Sequence, residues 1–123
     1  MADPALPTLD DARALLEPAE MLLEGALARA REITKQGAAI DDHQVLAERI
    51  AYAATEARAA RELVDFVTRT KAEGRADALL EATAAAGTAD LVWSLATRLA
   101  PSADDLGIGD DVFLSAFPSD VRK

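Results

Sequence analysis

The chain has 123 residues, enough for one domain and too few for a second with its own core. Half of its residues are apolar but only 4% are aromatic; 29 are alanine, and 22 acidic against 13 basic residues give a formal charge of −9. That balance excludes a nucleic-acid or anionic-membrane binder, which needs a basic face, and the lack of cysteine excludes disulfides, thiolate zinc sites and thiol nucleophiles.

The first predicted helix covers about residues 8–35. Leu9, Ala12, Leu16, Ala19, Leu23, Ala26, Ala30 and Ile33 recur at alternating steps of three and four, the mark of one apolar helix face. Thr8 suits the N-cap, and Asp10 and Asp11 suit the first turn. Pro18 removes a backbone donor and crowds the preceding turn, so a kink or a fresh start near Glu17 is expected. Gly37 ends the segment.

The second predicted helix covers about residues 42–73, with Asp41 or Asp42 as its cap and Gly74 as its stop. Leu46, Ile50, Ala53, Ala57, Ala60, Val64 and Val67 repeat the three-and-four pattern. The first six, Leu46 to Val64, are the candidate interaction seam. Alanine in its middle lets a neighbouring helix come close. Enlarging Ala57 is therefore expected to overpack, at about 1–3 kcal/mol, whereas Ala28 lies off its own seam and should tolerate growth.

Shorter elements follow. Arg75 to Ala86 reads as a helix closed by Gly87, and Thr88 as the cap of another, Ala89 to Ala100, stopped by Pro101. Ser102 to Asp110 is a polar loop, and Asp110 or Asp111 opens a last helix through Phe117. The pattern predicts an all-α antiparallel bundle of two long and two or three short helices. It forms one domain over residues 1–123, with 1–7 and 119–123 flexible. No apolar run approaches ~18 residues without charge, so no membrane span is expected. The start of the chain has neither the basic nor the apolar region of a secretory signal, and a cytoplasmic location is expected.

Chemistry-bearing motifs are sparse. The one histidine, His43, opens the second helix. Phosphotransfer bundles resemble one another around His-x-Leu-Lys-Gly, but here the run is His43-Gln44-Val45-Leu46-Ala47, so a helix-start histidine is the simpler reading. No Glu-x-x-His pair, calcium loop, P-loop or Gly-x-Ser-x-Gly occurs, and no catalytic, cofactor or metal residue is assigned. Glu48, Glu56, Arg58, Arg61 and Glu62 read as a solvated stripe with local ion pairs. Tyr52, Phe66 and Trp93 read as core or interface packing.

Residues 37–64, GAAIDDHQVLAERIAYAATEARAARELV, resemble the C-terminal helical bundle of acyl-CoA dehydrogenases. That family carries a Phe-Gly-Lys-Pro-Ile-x-x-x-Gln turn, then Ala-Thr-Glu and Ala-Ala-Arg on the following helix. Gly37, Ile40, Gln44, Ala54-Thr55-Glu56 and Ala59-Ala60-Arg61 match in register. The family's flavin-contacting arginine falls on Ile33 and its turn phenylalanine on Gln36. The Gly-Gly-x-Gly-Tyr stretch and the region of the active-site carboxylate have no counterpart after Gly74. Along its whole length the chain is similar to the helical segment that precedes the dehydrogenase core in methylsuccinyl-CoA dehydrogenase-like proteins. The shared features fall on Gly37 to Asp41, Ala54-Thr55, Glu73-Gly74-Arg75 and Asp105-Leu106-Gly107. The resemblance implies a non-catalytic helical accessory domain that binds no cofactor by itself, with FAD held by a partner or parent enzyme. Its partners would be a protein or a second copy, through helix packing. The alternatives are a small subunit completing an acyl-CoA or flavin site on a flavoprotein, and a phosphotransfer domain at His43.

Overall fold

The computed structural model describes residues 5–117, which form four α-helices and two 3₁₀ turns with no strand among them. The expected looseness of residues 119–123 lies outside the described residues, as does that of residues 1–4. Residues 5–7 are exposed and irregular.

Helix α1 (Leu9–Ile33) starts at a reciprocal cap: the Asp11 amide donates to the Thr8 hydroxyl, and the Thr8 amide donates to the Asp11 carboxylate at 2.7 Å. The helix runs through Pro18 without a fresh start. Leu16, Ala19, Leu22 and Leu23 are buried on both sides of the proline, and this packing outweighs one lost backbone hydrogen bond. Beyond Ile33 the chain reverses through three successive left-handed residues, Lys35, Gln36 and Gly37, at φ 52°, 60° and 95°. Only the glycine takes that conformation without a side-chain penalty.

A 3₁₀ turn (Ile40–His43) precedes α2 (Gln44–Ala72). The expected caps, Asp41 and Asp42, are therefore displaced: both are exposed within the 3₁₀ turn, and the cap position of α2 is His43, with no side-chain cap bond. The left-handed reversal delivers the chain into tight i→i+3 bonding, such as Asp42 amide to Ala39 carbonyl, before the wider α-helix begins. Gly74, at φ 74°, closes α2 close to where the sequence places the stop.

The expected break at Gly87 does not occur. A single helix, α3, spans Ala78–Leu99, capped by the Asp77 carboxylate accepting from the Leu80 amide at 2.8 Å. Thr88 is no cap but a fully buried residue in mid-helix. Gly87 faces α2 so closely that an added Cβ would lie 2.9 Å from a methyl of Leu63. Its lack of a side chain serves helix approach and not helix termination. A second 3₁₀ turn (Ala100–Ser102) contains Pro101, and α4 (Asp110–Ala116) follows. The described residues form an all-α bundle of three long helices and one short one.

The long helices run antiparallel in sequence. Passing up α1 from Arg13 to Glu20, the bonded partners on α2 descend from Thr68 to Arg61. Passing up α2 from Glu56 to Lys71, the partners on α3 descend from Arg98 to Glu81. Two apolar clusters fill the interior. One, at the end where α1 begins, joins Leu9, Ala12 and Leu16 to Ala60, Val64, Val67, Ala84 and Ala85. The other joins Leu22, Leu23, Ile50, Leu95 and Leu99 to Phe117, whose ring lies 4.9 Å from that of Phe113. Phe117 is fully buried and ties α4 to the bundle.

Candidate functional site at the turn between the first two helices

Leu46, Ile50, Ala53, Ala57, Ala60 and Val64 are all buried within the chain, none more than 8% exposed. Their neighbours are this chain's own helices: Ala57 lies beside Leu23, while Ala60 and Val64 share a cluster with Leu16 and Ala84.

At the other end of α2, two depressions flank the 3₁₀ turn. The first, about 400 Å³, is polar and is lined by Asp41, Asp42, His43, Arg49, Ser102 and Asp105 among others. Arg49 donates from Nη1 to the buried Ser102 hydroxyl oxygen at 2.7 Å, joining α2 to the 3₁₀ turn that follows α3. The guanidinium has no acceptor atom, so it cannot take the proton that a nucleophilic serine must lose. This pair joins helices and does not assemble a hydrolase. His43 is half-buried and lines the same depression as Asp41, Asp42 and Asp105. The second depression, about 250 Å³, is apolar, with Leu27, Ala30, Ile40, Ile50 and Ala51 in its wall. Among the described residues no group of three or more His, Cys, Asp or Glu side chains converges as metal ligands would.

The charged residues of α2 divide between neighbours and do not form one solvated stripe. Arg58 pairs with Glu62 one turn on. Arg61 reaches across to α1, its Nε 3.0 Å from Glu20 with a second bond from its Nη2, and also meets Asp65. The hydrogen bonds to Glu20 hold the guanidinium pKa above its ordinary value despite partial burial. Glu56 pairs with Arg98 of α3. These cross-helix pairs are 41 and 42 residues apart in sequence, beyond the reach of helix-spacing rules. Of the two readings of Tyr52, Phe66 and Trp93, core or interface packing, the core one is corrected: they are 51%, 52% and 43% exposed. The small alanine seams close the core without them.

Known proteins can be set against this architecture. The family model of the acyl-CoA dehydrogenase C-terminal domain matches residues 9–102. The chain belongs to that family. The match begins with the first residue of α1 and ends with the last of the second 3₁₀ turn, so α4 lies beyond it. No curated protein and no solved structure matches the chain. Within this acyl-CoA dehydrogenase-like bundle, Ile33 is half-buried against the core near the end of α1, and Gln36 is exposed in the left-handed turn. The two positions singled out by the resemblance thus present an apolar side chain to the core and a neutral amide to solvent.

Proposed function

We propose that the chain is a non-catalytic accessory domain of an acyl-CoA dehydrogenase-type flavoenzyme, equivalent to the helical extension of methylsuccinyl-CoA dehydrogenase-like proteins. It acts in the cytoplasm and binds its flavoprotein through helix packing. The observation that carries the reading is Ile33. A helical domain of this family keeps its buried seams, while Ile33, which the resemblance sets at the place of the flavin-contacting arginine, is an apolar side chain packed on the core. An isoleucine offers no donor to an isoalloxazine carbonyl or a phosphate. No described helix is long and apolar enough to cross a membrane, which accords with a partner in the same aqueous phase.

A second reading, that the chain completes an acyl-CoA site on a partner, draws on the apolar depression walled by Leu27, Ile40 and Ile50 beside the α1–α2 turn. Affinity purification from the native host distinguishes the two. The accessory reading expects a co-purifying flavoprotein whose turnover persists when the chain is removed. The subunit reading expects turnover to vanish and to return on adding the chain back. The purified chain itself is expected to be colourless and to leave FAD fluorescence unchanged. A stoichiometric flavin band in the isolated chain overturns the first reading.

A further inference from the structure

Helix α2 carries a second apolar stripe that none of the described residues covers. Val45, Tyr52 and Phe66 are 63%, 51% and 52% exposed, and Ala59 is exposed between them. Successive members are seven residues apart, so each is turned only ~20° from the one before, about 60° from first to last. They mark a line roughly 32 Å long at 1.5 Å per residue. It is distinct from the inward seam of Leu46 to Val67, which is buried. Tyr52 is held in place by the Arg98 guanidinium, 4.8 Å from its ring centroid, yet half the residue remains open.

The sequence around this stripe is complementary to itself when reversed. Ala59 is the midpoint: Tyr52 precedes it by seven residues and Phe66 follows it by seven. Glu48 stands eleven residues before it and Arg69 ten after. Both charges are exposed, and neither has an ion-pair partner among the described residues. We infer that α2 pairs with α2 of a second copy of this chain, antiparallel about a two-fold axis at Ala59. Ala59 faces its own counterpart and allows close approach. Tyr52 lies against the partner's Phe66, and Glu48 against the partner's Arg69. A parallel pairing would set Glu48 on Glu48 and Arg69 on Arg69, so charge selects the antiparallel one. The Tyr52–Phe66 and Glu48–Arg69 contacts each occur twice, as an isologous interface requires. A partner of other sequence would need none of this symmetry. The dimer does not rest on the accessory reading, since it requires no flavoprotein.

The test uses the full chain in about 0.15 M salt, which screens the repulsion between two copies of charge −9 beyond ~8 Å. Sedimentation velocity from about 10 to about 500 µM spans the range suited to an interface narrower than the standard size. The wild type is expected to show a monomer–dimer equilibrium. Glu48→Arg and Arg69→Glu, each alone, put like charges together at both ends and should weaken it at least tenfold. An equimolar mixture of the two variants restores opposite charges at both ends of a heterodimer and should recover wild-type association. Because the chain has no cysteine, Ala59→Cys gives one thiol at the axis and should form a disulfide-linked dimer on oxidation, whereas Ala28→Cys on the exposed side of α1 should not. Circular dichroism should show unchanged helicity, since every substituted side chain is exposed. A wild type that stays monomeric throughout overturns the inference. So do single variants that associate normally, or a mixture that fails to recover.

Discussion

Thr88 and Glu81 show what single residues contribute that their neighbours in sequence do not announce. Thr88 follows a glycine and reads as a cap, yet it is fully buried and its hydroxyl finds no hydrogen-bond partner among the described residues. An unpaired buried hydroxyl costs ~1–3 kcal/mol, whereas a methyl of the same shape costs nothing to desolvate. Thr88→Val should therefore raise the urea midpoint by an amount equivalent to about 1 kcal/mol, with the m-value unchanged. Glu81 stands in the first turn of α3. In the fold its Oε1 accepts from the Leu9 amide at 3.1 Å and from Lys71 Nζ at 3.2 Å, so it caps α1 and reaches the end of α2 from α3. The Leu9 amide, and then Lys71, hold its pKa below the ordinary value near 4.5. A lowered carboxylate pKa stabilises the fold fully above that value and loses its effect as pH falls through the lowered one. Thermal melts from pH 6 down to pH 3 should show a flatter acid limb for Glu81→Gln than for the wild type. Equal limbs would mean that Glu81 takes no part in acid unfolding.

The helices themselves differ in how far local pattern determined them. The seams of α1 and α2 were legible because a three-and-four period repeated over seven or more positions has no competing strand or loop reading. Helix α3 was not, because a glycine in a helical pattern signals either an end or a close contact, and sequence cannot separate the two. The contact is Leu63, on another helix. Gly25 supplies the control: it lies in α1, exposed, with nothing within 4 Å of an added Cβ. Gly25→Ala should stabilise by about 0.5–1 kcal/mol through helix propensity alone. Gly87→Ala gains the same propensity but must displace the Leu63 methyl, so its net gain should be smaller or reversed. Chemical denaturation of the two variants side by side reads the difference directly. If Gly87→Ala gains as much as Gly25→Ala, the close approach of α2 and α3 at that level is wrong.

At the scale of the whole molecule, small side chains fix how close the three long helices lie, and the candidate site inherits that spacing. The buried seam was readable because burial follows period; the turn beside it was not, because Ser102 meets Arg49 from 53 residues away. The alanines of the seam are also not equivalent, which the pattern alone could not reveal. Ala53 and Ala60 are 0% exposed, whereas Ala57 is 6% exposed and borders a groove of about 260 Å³ between α1 and α2. A leucine at Ala60 must force Leu16, Val64 or Ala84 aside within one packed cluster. Overpacking of this kind costs about 1–3 kcal/mol, equivalent to a Tm lower by roughly 4–15 °C for a domain of this size. A leucine at Ala57 can extend into the groove beside Leu23 and Leu27, adding apolar burial that offsets part of the strain. Ala28, exposed on α1, should tolerate leucine without loss. The expected order of melting temperatures is thus Ala28→Leu highest, Ala57→Leu intermediate and Ala60→Leu lowest. If Ala57→Leu melts as low as Ala60→Leu, the groove closes in solution and the first two helices pack more tightly there. If Ala60→Leu melts like Ala28→Leu, the bundle register itself is wrong, and with it the burial of Ile33 on which the accessory role depends.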